Sequence, residues 1–402
     1  MSVSFHNPDQ YMASLRTIIA QGRKRIGLLV GAGAPAGMKR EDGTLPLIPA
    51  VAGLTAQILA AIEPTYKAQI EGLKKDSAKH DIETLLSRIR SLSTVIGTTK
   101  IHDLDGDGYK TMAETICAEI GKVVKVRLPS KPSPYSELVS WVTGAPRAHP
   151  VEIFTTNYDL LFEEAFERAH APYFDGFTGA REAFFDPASV SGDALSPRWT
   201  RLWKLHGSLG WKANEQGEVV RTGQTDATHL IFPEHLKYDQ TQKAPYAALL
   251  DRLRTFLSTE DTLLVSIGFS FADAHIAARI DEALAANPAA SVFAFQFQPL
   301  DKEVCAVELA LRRPNFSVYA RDKAVINGVA ADWSAPSEFP TKDWGPIRAS
   351  YWAPAGAGAC EFKLGAIDAF ARFFANSRSP QAFDAALPAP VLVAAPAAAS
   401  PV

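Results

Sequence analysis

The chain predicts an α/β protein: a Rossmann-like, mostly parallel sheet with a mainly helical insertion. Three observations support this class. Residues 26–30 (Ile-Gly-Leu-Leu-Val) form an apolar run broken only by Gly27, which reads as a strand buried on both faces. The run ends in Gly31-Ala32-Gly33, a sharp turn where backbone can approach a ligand closely and the next helix points its N-terminus at it. Further along, short apolar runs alternate with helical patterns, and such alternation implies parallel strands covered on both faces.

Taken in order, residues 8–22 place Tyr11, Leu15, Ile18 and Ile19 on one helical face, with Gly22 as the stop. After the first strand, Pro46 and Pro49 lead into a helix over 50–62 carrying Leu54, Ile58, Leu59 and Ile62 on one side. No strong strand pattern appears between 66 and 143. Asp81 can cap a helix over 82–93, whose apolar face is Leu85, Leu86, Ile89 and Leu92. Further helices are predicted over 112–126 and 135–142. Strands return at 151–155, 201–205, 229–232, 262–267, 291–297 and 316–319, with helices over 160–169, 246–258, 274–286, 301–312 and 364–375. Residues 1–49 and 146–376 are thus the expected core, and 50–145 a helical insertion or lid. Residues 377–402, almost all Ala, Pro and Val, are the expected disordered tail.

Bulk composition narrows the function. With 402 residues, 47% hydrophobic and 21% charged, the chain can bury a full core. A net charge of -3 and a pI near 6.3 do not ask for nucleic acid, so no direct nucleic-acid binding is expected. Cys117, Cys305 and Cys360 lie far apart and form no Cys-x-x-Cys pair, so neither a cysteine zinc ribbon nor a disulfide framework is expected. No apolar run reaches the roughly 18 residues of a membrane span and no signal-peptide core is present, which predicts a cytoplasmic protein without a membrane partner.

Three later stretches put polar residues at strand ends, where open α/β sheets bind ligands. The first is Thr155-Thr156-Asn157-Tyr158-Asp159; Asn157 and Asp159 can face the same side in extended geometry, although Asp159 can equally cap the following helix. The second is Lys204-Leu205-His206-Gly207-Ser208, where His206 is either structural or a proton-exchanging group. The third is Gly268-Phe269-Ser270-Phe271-Ala272-Asp273-Ala274-His275-Ile276, with Gly268 and Ser270 at the sheet edge and Asp273 placed to cap a helix. The other histidines show no metal spacing.

Gly-Ala-Gly, Thr-Thr-Asn-Tyr-Asp, Lys-Leu-His-Gly-Ser and Gly-Phe-Ser-Phe-Ala-Asp-Ala-His-Ile, in this order over roughly residues 26–320, resemble the sirtuin-like NAD-consuming family of bacterial antiphage defence proteins. The resemblance implies that Gly31, Ala32 and Gly33 hold the NAD diphosphate, that Thr156, Asp159, Gly268 and Ser270 join the binding site, and that Asn157 and His206 act at the nicotinamide ribose. NAD is then a substrate, and the implied activity is an NAD glycohydrolase yielding nicotinamide and ADP-ribose. Two departures stand out. The chain lacks the four zinc cysteines of true sirtuins, which weakens the alternative of an NAD-dependent protein deacylase and leaves no zinc expected. Pro35 stands where the family often has serine, although proline suits the first turn of a helix. A catalytically silent NAD or ADP-ribose scaffold is the remaining alternative.

The chemistry agrees with the resemblance. Breaking the nicotinamide–ribose bond builds positive charge on the sugar, and the pyridinium leaves without protonation. The protein therefore needs an oriented ribose, a placed water and a base, roles open to Asn157 and His206.

One competing pattern remains. Asp103, Asp105, Asp107, Gly108 and Glu114 fit a calcium-loop spacing, although residues 94–99 are poor helix formers and Lys110 occupies a usually apolar position.

Finally, about 80 residues follow residue 320, less than a sensor domain of roughly 100 residues or more. Among relatives, the single-domain subunit that pairs with a HerA-like hexameric ATPase is the most similar. The resemblance implies a homo-oligomer gated by such a partner, with Leu85, Leu86 and Ile89 as candidate self-association residues unless they simply cover the sheet.

Overall fold

Alternate residues of a strand face opposite sides, and the computed structural model uses that alternation throughout; it describes residues 5–75, 80–223, 244–334, 344–354 and 360–377. Its strands are β1 (Phe5–His6), β2 (Arg25–Val30), β3 (Glu152–Thr155), β4 (Tyr173–Phe174), β5 (Phe177–Thr178), β6 (Ala183–Phe185), β7 (Thr200–Lys204), β8 (Trp211–Ala213), β9 (Val219–Arg221), β10 (Thr262–Ile267), β11 (Ser291–Phe295), β12 (Phe316–Tyr319), β13 (Lys323–Ile326), β14 (Val329–Trp333), β15 (Trp352–Pro354) and β16 (Cys360–Phe362). Ten of them form one sheet in the order β1-β14-β13-β12-β11-β10-β2-β3-β7-β4. The pairs from β12 through β4 are all parallel; β13 pairs antiparallel with both β12 and β14. In the centre, Leu28 of β2 sits beside Val265 of β10 and Ile153 of β3.

The chain runs from β2 to β3 and β7 on one side, then returns to lay β10, β11 and β12 on the other. Strand order therefore reverses between β2 and β10. Open α/β sheets bind ligands outside the carboxyl ends of their strands at such a point.

The helices are α1 (Pro8–Gln21), α2 (Gly33–Ala36), α3 (Val51–Lys75), α4 (Ile82–Val95), α5 (Gly106–Val124), α6 (Pro134–Thr143), α7 (Leu161–Arg168), α8 (Pro187–Ser191), α9 (Tyr246–Ser258), α10 (Ala274–Ala286), α11 (Val304–Arg312), α12 (Trp344–Tyr351) and α13 (Ile367–Asn376). Leu28, Val30, Ile153, Leu202 and Val265 point into one core with α1, α3 to α7 and α13. Leu29, Phe154, Trp203 and Leu264 point into the other with α9 to α11 and the small sheet β5-β6-β9-β8.

Several elements differ from the expected ones for local reasons. The helix expected over 50–62 runs on to Lys75, kinked at Tyr66 just past Pro64, a residue that bends a helix without always ending it. The helix expected over 112–126 begins at Gly106, because Asp105 accepts the Gly108 N–H at 2.9 Å and caps it. That start also corrects the calcium-loop reading: Asp105 is a helix cap, and Asp107 and Glu114 are helical. Strands of two or three residues such as β4, β5 and β6 are too short to show a period. The strand expected over 229–232 and residues 378–402 of the expected tail lie outside the described residues.

The self-association residues are corrected by burial. Leu85, Leu86 and Ile89 lie in the core beneath α4 and offer no surface. Among the described residues, no helix is long and apolar enough to cross a membrane. Leu86→Ala should accordingly cost about 2–5 kcal/mol, the range for a buried leucine. Leu45→Ala, at a residue 57% exposed, should stay within about 0.5 kcal/mol. Urea unfolding midpoints of the two variants check the contrast.

Candidate active site

The carboxyl ends of β2, β3, β7 and β10 meet at one cavity of about 580 Å3, a volume within the range of small-molecule sites. Two turns build its floor. Gly31 donates its N–H to the Ile267 carbonyl at 3.0 Å, and Gly33 donates to the Gly268 carbonyl at 2.9 Å. A Cβ on Gly31 would overlap the Gly268 carbonyl, and one on Gly33 would come 2.9 Å from the Gly268 Cα. Gly268 itself sits at φ +66, where side chains are strained. The glycines are thus required first by each other. Gly31 lies behind the cavity wall, whereas Ala32, Gly33, Gly268 and Ser270 line it.

From β3, Thr156, Asn157 and Asp159 reach the cavity. Thr155 anchors this turn: its hydroxyl donates to the Val30 carbonyl at 2.9 Å and accepts the Asn157 N–H at 3.1 Å. The Asn157 side chain donates through Nδ2 to the Gly31 carbonyl at 3.2 Å. Asn157 is only 7% exposed; its Oδ1 makes no aligned hydrogen bond among the described residues, and its side chain lies within reach of the buried Tyr135 hydroxyl. Buried polar atoms are almost always paired, so this acceptor is open to the Tyr135 hydroxyl or to a ligand donor.

Asp159 does cap α7, accepting the Leu161 N–H at 3.1 Å. Its carbonyl accepts from the buried Lys204 ammonium, which also lies 3.2 Å from Glu163. Burial pushes the Asp159 carboxyl up, against the opposing pull of Lys204 and the Leu161 N–H. Lys204 therefore ties the start of α7 to the end of β7, one residue before the loop that carries His206.

His206 is 5% exposed. Its Nε2 lies 2.9 Å from Asp273 Oδ2, a close polar contact not aligned as a hydrogen bond. The other oxygen of Asp273 caps α10, accepting the His275 and Ile276 N–H groups at 2.9 and 3.1 Å. Burial alone would raise the Asp273 carboxyl; the His206 imidazole beside it and the two N–H groups outweigh that and hold it at about 2. Sequence reasoning assigned Asp273 the cap but not the histidine, because the contact joins two loops distant in the chain.

The remaining wall comes from the helical layer: Pro49, Val51 and Leu54 supply apolar surface, and Asp81, Glu83, Thr84 and Ser87 of the α4 start supply polar groups. None of these residues was expected at the site; Asp81 was visible only as a cap. Among the described lining residues there is no Lys or Arg. Among the described residues no three His, Cys, Asp or Glu are grouped to hold a metal. Cys117 is buried and Cys305 exposed, both free.

Residues 151–316 match the family described as the SIR2-like domain. The match takes in Asn157, His206, Gly268 and Asp273, and leaves the first glycine turn and the helical layer outside. Among solved structures, one described as "Structural Basis for the Mechanism and Regulation of Sir2 Enzymes" is similar at 13% identity over 73% of this chain and 89% of that one, with a TM-score of 0.34. No curated protein matches the chain in sequence.

The Asp273 pair carries a pH signature. A carboxyl held below its unfolded value adds stability that is present above the unfolded pKa and lost as pH falls toward the folded one. Asp273→Asn keeps the cap and removes the charge, so at pH 5 it should cost on the order of 2 kcal/mol. The gap from the parent should close as pH falls through about 2, read as urea midpoints across that range.

Proposed function

We propose that this chain is an NAD glycohydrolase that cleaves NAD to nicotinamide and ADP-ribose. The observation that carries the reading is the placement of Asn157 and the His206–Asp273 contact in one cavity. The SIR2-like domain over 151–316 supports NAD as the substrate class.

The bond to be broken joins C1′ of the ribose to the nicotinamide nitrogen. Its electron pair goes to the nitrogen, which becomes neutral, and positive charge appears on the sugar; water then adds its oxygen at C1′ and gives up a proton. Asn157, fixed through Nδ2 to the Gly31 carbonyl, turns Oδ1 toward a ribose hydroxyl or that water. His206 takes the proton, and Asp273 stabilises the imidazolium so formed. The carboxylates of Asp81, Glu83, Asp159 and Asp273 around the cavity, without a lining Lys or Arg among the described residues, favour the positive charge on the sugar. The deacylase alternative lacks the four cysteines of a sirtuin zinc module, since the chain has three.

The same reading makes the chain a depleting effector of antiphage defence. An enzyme that destroys NAD harms its own cell, so its turnover must be gated. Gating in trans, through a homo-oligomer that docks on a HerA-like hexameric ATPase, follows from the resemblance of the four motifs.

Asn157→Ala and His206→Ala should each lower nicotinamide release from NAD by about 10²-fold or more, with chelator making no difference. Parent-like release by His206→Ala would remove the assigned base. For assembly, light scattering after size-exclusion chromatography should show an oligomer at micromolar concentration. A fully active monomer would end the assembly proposal.

A further inference from the structure

Glu83 stands in the cavity wall with Asp81, Asp159 and Asp273, whose carboxylates together favour positive charge on the sugar. It stands in the first turn of α4, two residues after the cap Asp81, whose carboxylate accepts the Thr84 N–H at 2.9 Å. An acidic residue there ordinarily does no more than favour the helix dipole from solvent. Glu83 differs, because it lines the cavity shared by His206 and Asp273 and makes no hydrogen bond or ion pair among the described residues. The groups facing it are His206, Asp81 and Asp273, and its own charge reaches the buried Tyr158 hydroxyl, on which Arg90 acts in the opposite sense. His275 completes the titratable groups on the α10 side of the cavity.

We propose that Glu83 is a positioning residue for His206: a carboxylate that the helical layer brings to the imidazole, so that the proton taken up in the reaction is stabilised by Glu83 as well as by Asp273. The proposal rests on the NAD-hydrolase reading for its consequence in turnover, and on the cavity that Glu83 and His206 line together for its premise. Asp273 is tied to α10 by two backbone N–H groups and cannot follow the ring. Glu83 has no such tie, and it belongs to the layer that walls the site. The helical layer then contributes to the chemistry as well as to closure.

The pH behaviour follows. Burial pushes the Glu83 carboxyl up; His206 opposes this, and Asp81 and Asp273 add to it. The ionised form is the one that supports His206, so that support is lost as pH falls through a value above the usual carboxylate range of about 4.3.

Parent, Glu83→Gln, Glu83→Asp and Asn157→Ala are compared in nicotinamide release from NAD across pH 5–9. His206 is titrated by NMR in parent and Glu83→Gln, its signal assigned by its loss in His206→Ala. Glu83→Gln is expected to lower kcat about tenfold, with KM within about twofold, and to remove the acid limb that Glu83 sets. Glu83→Asp should restore part of kcat. The His206 pKa should fall by about half a pH unit or more in Glu83→Gln. Parent-like kcat in Glu83→Gln at every pH, with Asn157→Ala inactive, overturns the inference and leaves the hydrolase reading standing. Equal release by parent and Asn157→Ala overturns that reading instead. An unchanged His206 titration overturns the Glu83 inference whatever the turnover.

Discussion

Two glycine turns pack against each other at the point where strand order reverses, and the site is arranged around that contact. The backbone bonds from Gly31 to Ile267 and from Gly33 to Gly268 leave no room for a side chain at either turn. The Gly31 carbonyl, held in place by this contact, then receives the Asn157 amide. Asn157 is in turn fixed by Thr155, whose hydroxyl bonds back to β2. The contact thus orients the Asn157 side chain at the cavity wall. Gly33 spends its N–H inside the protein, which leaves Ala32 and the neighbouring turns to face the cavity.

Buried charge holds the sheet at both ends, in two different ways. At the amino ends of the strands, Arg252 grips Glu152 through two nitrogens, and Trp203 donates to the same carboxylate at 2.7 Å. Asp193 links Arg252 to Arg201 and Arg25. Such clusters add little net stability over apolar packing, but removing one member strands the others in a low-dielectric interior. At the carboxyl ends, Lys204 joins Asp159 and Glu163, and His206 joins Asp273. Here Asp159, His206 and Asp273 border the cavity, whereas Lys204 and Glu163 lie behind its wall.

The helical layer has two tasks. Its apolar faces, with Leu85, Leu86 and Ile89 among them, cover one side of the sheet as part of a continuous core. Its turns before α3 and α4 wall the cavity with Pro49, Val51, Asp81 and Glu83. Because one rigid layer does both, a shift of α4 against the sheet would change the acidic lining near His206.

The apolar run at 26–30, the glycine turn, and the alternation of short runs with helical patterns determined the parallel sheet, because period and punctuation are local properties of a chain. The same locality made Asp81, Asp159 and Asp273 legible as caps, but not Asp105, which stands in a stretch where a metal-loop spacing is also a helix start. Asn157 and His206 were visible as polar residues at the ends of apolar strands, and the resemblance of the four motifs supplied their expected roles. The tertiary structure alone decided the rest. The Gly31–Gly268 packing, the His206–Asp273 pair and the presence of Glu83 at the cavity each join segments distant in sequence. Such contacts depend on how the crossovers lay strands and helices side by side, which no local pattern encodes.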